Sequence, residues 1–197
     1  PGQQTKTVKA EAANVKNLDQ AGEVKIVIDG GTLTVDAEGD GLDANGSIEI
    51  NGGTVVVNGP TSGANAALDY DDNGKLNGGT VLFVDNGEMT MGFGSDSSQA
   101  FLMASVQGTA GTTVEVVDSS GKTVASLKAS KSFSTVLISS PDIKDGEKYT
   151  IKVGSNSTTA TASKQAANIG GGPGGGGQPG QGGPGGQPGQ GGGPGGR

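Results

Sequence analysis

The run Glu23-Val24-Lys25-Ile26-Val27-Ile28-Asp29-Gly30-Gly31-Thr32-Leu33-Thr34-Val35 decides the fold, because the chain returns to its pattern twice more. Gly-Gly-Thr, first met at Gly30–Thr32, recurs at Gly52–Thr54 and again, at a slightly longer offset, at Gly78–Thr80. Ile28-Asp29, Ile50-Asn51 and Leu76-Asn77 precede the three glycine pairs. Leu33-Thr34-Val35, Val55-Val56-Val57 and Val81-Leu82-Phe83 follow them. Glu23–Ile28, but for Val27, and Ser47–Ile50 alternate polar and apolar residues, the period-two pattern of a strand with one buried face. A second alignment keeps the longer offset: Gly41-Leu42-Asp43-Ala44-Asn45-Gly46 answers to Ala67-Leu68-Asp69-Tyr70-Asp71-Asp72.

A unit of about 20–26 residues, holding two or three short strands and turning on Gly and Asn, reads as one coil of a β-solenoid. Paired glycines supply positive φ at the corner. Asn51 and Asn77 are expected to stack, with their amides bonded along the axis. No stretch carries a helical stripe, and glycine is too frequent for one. The expectation is an all-β chain with a few coils of parallel β-helix over residues 23–100. An array of antiparallel hairpins on Asn-Gly turns is the alternative.

Outside the repeat the pattern changes. Residues 1–22 read as an N-terminal cap or strand arm. Thr112–Val117 and Lys122–Leu127 flank a polar turn with Gly121, a hairpin signal, and Ser134–Ser139 and Glu147–Val153 are further strand candidates. Residues 101–156 are therefore expected to form a small antiparallel β-module packed on the last coil, closing its exposed edge. Residues 157–197 read as a Ser/Thr stretch and then a flexible Gly/Pro/Gln tail. From residue 170 onward that tail holds only Gly, Pro, Gln and Arg197, which cannot build a core.

The net charge of −7 conceals a division. Between residues 23 and 100 there are thirteen Asp and Glu against Lys25 and Lys75, whereas residues 101–169 hold seven lysines against five acids. So acidic a stretch repels phosphate backbones, and nucleic acid is not an expected partner. A divalent cation is, although a merely solubilising acidic face is the plainer reading. The absence of Cys, His and Trp removes disulfides, thiolate or imidazole metal sites, the Ser-His-Asp triad and a tryptophan platform for sugars. With neither a basic-then-apolar leader nor a long apolar run, the chain is expected to be a processed protein or a fragment, without a membrane span.

Four segments carry a resemblance: Gly39-Asp40-Gly41-Leu42-Asp43-Ala44, Val57–Gly63, Ala67-Leu68-Asp69-Tyr70 and Val136–Pro141. Over residues 22–154 the chain resembles a secreted bacterial carbohydrate-binding family, long catalogued as a domain of unknown function and related to polysaccharide lyases. The resemblance implies a right-handed parallel β-helix that binds calcium, cellulose and acidic polymers such as polygalacturonate. It also implies adhesion to plant cell-wall polysaccharide at the cell surface or in the extracellular matrix. Family members carry more coils upstream, so this chain looks like a C-terminal portion.

The acidic corner is the expected metal site: Asp40, Asp43, Asn65, Asp69 and Asp71. At the longer offset, Asp69 stacks on Asp43 and Asn65 lies near Asp40. Carboxylates at strand spacing repel, and Ca²⁺, which takes six to eight oxygens, relieves that repulsion. Gly39, Gly41 and Gly46 are expected to curl the backbone and offer carbonyls. The same residues also read as plain Asx-turns with no metal, or as a calcium staple between coils. A bound ion with an open position accepts a uronate carboxylate. Tyr70 and Lys75 are the expected sugar contacts. Lys75 as a lyase base, or Asp69 and Asp71 as a glycosidase-like pair, are weaker readings, and no enzymatic activity is expected. The competing function is a filament subunit that stacks head to tail through its coil ends, with calcium as a structural ion.

Overall fold

The computed structural model describes residues 6–11, 15–20 and 23–165. Sixteen strands and no helix run through them. Strands β1 (Lys6–Glu11) and β2 (Val15–Gln20) come first, followed by β3 (Glu23–Ile28), β4 (Thr32–Ala37), β5 (Leu42–Ala44) and β6 (Ser47–Ile50). Next are β7 (Thr54–Asn58), β8 (Leu68–Tyr70), β9 (Asn73–Leu76) and β10 (Thr80–Asp85). The remainder are β11 (Leu102–Gly108), β12 (Thr113–Val117), β13 (Thr123–Lys128), β14 (Phe133–Ser139), β15 (Lys148–Val153) and β16 (Asn156–Thr161). Among the described residues no helix is long and apolar enough to cross a membrane.

The repeat sets the pairing. β4, β7 and β10 lie parallel, with Thr32, Thr54 and Thr80 in register. β3, β6 and β9 form a second parallel set, and β5 with β8 a third. The chain therefore visits the three sheets in turn, and each pass lands one strand further along. The expected amide ladder is present: Asn77 Nδ2 donates to Asn51 Oδ1 at 2.9 Å and Asn51 Nδ2 to Asp29 Oδ1 at 2.9 Å. Positive φ falls on the second glycine of each pair, Gly31, Gly53 and Gly79. A Cβ at Gly53 would stand 2.5 Å from Gly31 O, and one at Gly79 2.8 Å from Gly53 O, so each corner also nests on the one before.

The sheets are mixed, however, and not purely parallel. β1 runs antiparallel to β4, and β2 antiparallel to β3. At the other end, β14 pairs antiparallel with β10, and β11 with β14, giving a six-stranded sheet β1-β4-β7-β10-β14-β11. The hairpin β12–β13 and the pair β15–β16 make a separate four-stranded antiparallel sheet, β13-β12-β15-β16. Ordered strand thus runs past the boundary placed at residue 156, because β16 completes that sheet and Ser163 exchanges backbone hydrogen bonds with Phe101. The Gly/Pro/Gln tail lies outside the described residues.

Two apolar cores share the six-stranded sheet. Its inner face (Leu33, Val35, Val55, Val57, Val81, Phe83, Leu137) closes against Ile28, Ile48, Ile50, Leu68 and Leu76. Its outer face (Val56, Leu82, Val84, Val136, Ile138, Leu102) packs on Val114, Val116, Tyr149 and Ile151 of the four-stranded sheet. The module therefore lies along the side of the stack as well as extending its end. Its β13–β14 loop reaches back to the first pass: Lys131 Nζ lies 2.8 Å from Asp36 Oδ1, and Ser130 Oγ donates to Asp36 Oδ2 at 2.6 Å.

Segment 86–101 caps the stack. Gly94 N–H donates to Gly74 O, and Gln99 N–H to Leu76 O, along the open edge of β9. Phe93 is fully buried, edge-on to Phe83 and Phe101. The buried Asp85 carboxylate holds the start of the cap, accepting from Thr90 Oγ1 at 2.5 Å, Gly87 N–H at 3.0 Å and Ala67 N–H at 3.2 Å.

Candidate functional site

Two outward surfaces meet where β5 turns into β6 and β8 into β9. The corners stack through backbone hydrogen bonds from Asp71 to Ala44 O and from Asp72 to Gly46 O. The first surface is the outer side of β5 and β8. Leu42 and Ala44 point inward and Asp43 outward, and Asp69 stands directly opposite Asp43. Partial burial, and then the negative charges of Asp40, Asp43 and Asp71, push the Asp69 carboxyl above its ordinary pKa.

The other expected ligands do not complete a cage. Asp40 Oδ1 accepts the Ala66 N–H at 2.8 Å, so this carboxylate ties the Gly39–Gly41 corner to the next pass. Asn65 lies in the loop before β8, its amide nitrogen over Gly63, and Asp71 is exposed at the corner. Among the described residues no three acidic side chains converge closely enough to hold one metal ion. The donors are hard oxygens of the kind calcium takes, but the chain brings only Asp43 and Asp69 face to face. Gly41 and Gly46 have a packing role. A Cβ at Gly41 would lie 2.2 Å from Ala67 O, and one at Gly46 2.0 Å from Val24 O.

Tyr70 is not an open platform for a sugar ring. It follows Asp69 on β8 and so turns inward opposite Ala44, lies over Gly74, and donates its hydroxyl to Gly92 O at 2.7 Å. Burial, and then the charge of Asp96, raise its pKa. The residue ties β8 to the cap.

The second surface is the outer face of β3, β6 and β9. Lys25, Ser47, Glu49, Asn73 and Lys75 line a shallow groove of about 170 Å³. The repeat offsets align Lys25 with Ser47 and Asn73, and Val27 with Glu49 and Lys75. Lys25 Nζ lies 2.5 Å from Glu49 Oε2, and Lys75 Nζ 2.9 Å from Asp96 Oδ2. The hydrogen bond from Lys25 outweighs burial and holds Glu49 below the usual carboxylate range. Lys75, and then Asn73, likewise lower Asp96, while Asp96 raises Lys75.

Lys75 is thus the one expected sugar contact that stands in an open groove. Lys25, Ser47, Glu49 and Asn73 escaped the sequence reading, although the offset that paired Asp43 with Asp69 aligns Ser47 with Asn73 and Glu49 with Lys75, and the shorter offset aligns Lys25 with Ser47. Asp96 carries no repeat signal, since it comes from the cap. Two larger depressions, about 370 Å³ where Asn86 and Gly87 of the cap meet the module and about 400 Å³ on the module, share Gln107 and are lined by uncharged residues, so they offer an acidic polymer no counter-charge.

Comparison with known proteins gives no relative: no protein-family model matches the chain, and neither a curated protein nor a solved structure matches it.

Proposed function

We propose that this is a secreted, non-catalytic protein that binds acidic polysaccharide in a calcium-dependent way, on coils wound as a right-handed parallel β-helix. The parallel register at both repeat offsets supports the coil reading. One observation carries the function. A groove with Lys25 and Lys75 on strands two apart, about 9.6 Å across the sheet, borders a surface where Asp43 and Asp69 stand in register. Uronate carboxylates suit the lysines in exchange for Glu49 and Asp96, and ring hydroxyls suit Ser47 and Asn73. Two facing carboxylates supply too few oxygens for calcium alone. An ion held at Asp43 and Asp69 takes its remaining oxygens from water and from the glycan, which is how an acidic surface accepts an acidic polymer.

Head-to-tail stacking through coil ends is less well supported. The cap over β9, the buried Phe93 and the antiparallel β14 on β10 cover the edges of the last pass, where a parallel coil of a second copy would continue the stack. Co-sedimentation with polygalacturonate, in calcium and in EDTA, tests the proposal beside a tube of protein alone. Pelleting only with polymer and calcium is expected. Pelleting in the protein-only tube would instead favour self-assembly.

A further inference from the structure

Asp96 occupies the groove in a way that the needs of the cap do not explain. The cap already holds β9 through the backbone of Gly94 and Gln99, and through Ser97 Oγ, which accepts the Leu76 N–H at 3.1 Å. Ser97 Oγ also donates to Gly94 O at 2.7 Å, which fixes the turn between them. Gly94 is needed here, since a Cβ would meet Asn73 Oδ1 at 2.6 Å. The outcome is a tight turn pressed on β9 that aims the Asp96 carboxylate back over the outer face. There a single oxygen, Oδ2, accepts from both Lys75 Nζ at 2.9 Å and Asn73 Nδ2 at 3.0 Å.

An ammonium and an amide converging on one carboxylate oxygen form the contact set that a ligand carboxylate would want. We infer that Asp96 is a resident stand-in for the ligand: it fills a carboxylate seat made by Lys75 and Asn73, and an incoming uronate displaces it. This inference rests on the acidic-polysaccharide reading and adds its regulation. Both partners are close to half exposed, with side-chain exposures of 40% for Lys75 and 48% for Asp96. Exchange of one carboxylate for another therefore costs little, because exposed ion pairs hold their partners weakly. The turn keeps Asp96 at hand, so weak or isolated anions lose the competition. A polymer that also draws Lys25 away from Glu49, or shares a cation, wins it. Asp96 thereby acts as a specificity filter, and its removal strengthens binding.

The test is the affinity of the full chain for oligogalacturonate by calorimetry, in calcium at fixed ionic strength. Asp96→Ala and Asp96→Asn are each expected to bind about three- to fivefold more tightly than the parent, the range that release of an exposed ion pair allows. Asp145→Ala, which makes the same charge change on the exposed surface of the module, is expected to leave affinity near the parent value. Adding Lys75→Met to Asp96→Ala should abolish the gain. Unchanged or weaker binding in both Asp96 variants overturns the inference. So does an equal gain in Asp145→Ala, or a gain that survives Lys75→Met. Should no protein bind the oligomer, the polysaccharide reading fails, and titration with galacturonate monosaccharide judges the seat alone. A Lys75 side-chain NMR shift that is larger in Asp96→Ala than in the parent sustains it, and equal shifts overturn it.

Discussion

In the stack of passes each strand finds its partner one repeat further along the chain, whereas in the module partners come from wherever the sandwich needs them. β7 pairs with β4 and β10 at offsets visible in the sequence. β14 instead pairs with β10 and β11, and β12 with β13 and β15. The stack relies on close approach at glycine corners, and the module on side chains meeting across two sheets. The two regions join in the strands β7, β10 and β14. Alternation in β4 (Thr32-Leu33-Thr34-Val35-Asp36) gives way to apolar runs in Val55-Val56-Val57 and Val81-Leu82-Phe83-Val84. A strand buried on both faces loses its alternation, and here the change marks where the module lies on the stack.

Glycine substitution is the severest test of that contrast. Gly41→Ala should cost about 3 kcal/mol or more, because its Cβ would press on Ala67 backbone and on Val57. Gly121→Ala, at φ 88° but in open space, should cost only about 1 kcal/mol. Denaturant unfolding measures both, and equal costs would break the contrast. Next in size, Leu82→Ala opens the core between the shared sheet and the module and should cost about 2–5 kcal/mol. Its melt should remain a single transition by far-ultraviolet circular dichroism and by calorimetry. Two separated transitions would mean that the regions are joined less closely than the shared strands imply.

The smallest effects lie in the carboxylates, and their signs oppose each other. Partial burial raises the Asp36 carboxyl, but hydrogen bonds from Lys131 and Ser130 and the charge of Lys131 outweigh it and leave the pKa lowered from 3.8. The ionised form therefore favours the fold. That stability is present above the unfolded value and is lost as pH falls through the lowered one. Asp36→Asn should cost at most about 1 kcal/mol at neutral pH after allowance for solvent screening, and progressively less in acid. Asp69 is raised from 3.8, so its contribution is present below the unfolded value and lost as pH rises through the raised one. Without calcium, Asp69→Asn should raise Tm by about 1–2 °C at neutral pH and not in acid. Thermal melts of the two variants against pH separate a clasp between the regions from repulsion within the stack.

The legible part of the site follows the same division. Asp43 opposite Asp69, the ladder through Asn51 and Asn77, and the Gly-Gly corners all follow from counting, because a repeat converts sequence offset into spatial register. The same count places Ser47 and Asn73 beside Lys25, and Glu49 beside Lys75. Tyr70 was misread because its neighbours in sequence are acidic, while strand parity turns its ring inward. Asp40 looked like a metal ligand by spacing, yet one of its oxygens ties down the Ala66 N–H, a partner one full pass away that composition does not reveal.

Parallel rather than hairpin pairing at the repeat offsets came from the structure, whereas the amino-acid sequence by itself determined the all-β character, the offsets and the strongly acidic composition of the passes. These are consequences of local alternation and periodic glycine, which act within one repeat length. Only the tertiary structure decided that β14 and β11 extend the stack's own sheet, that β16 completes the module, that Phe93 closes the last pass, and that Asp96 lies over its outer groove. Those contacts join segments with no shared period, so they are set by which apolar faces remain uncovered and which backbone edges still lack partners once the repeats have packed.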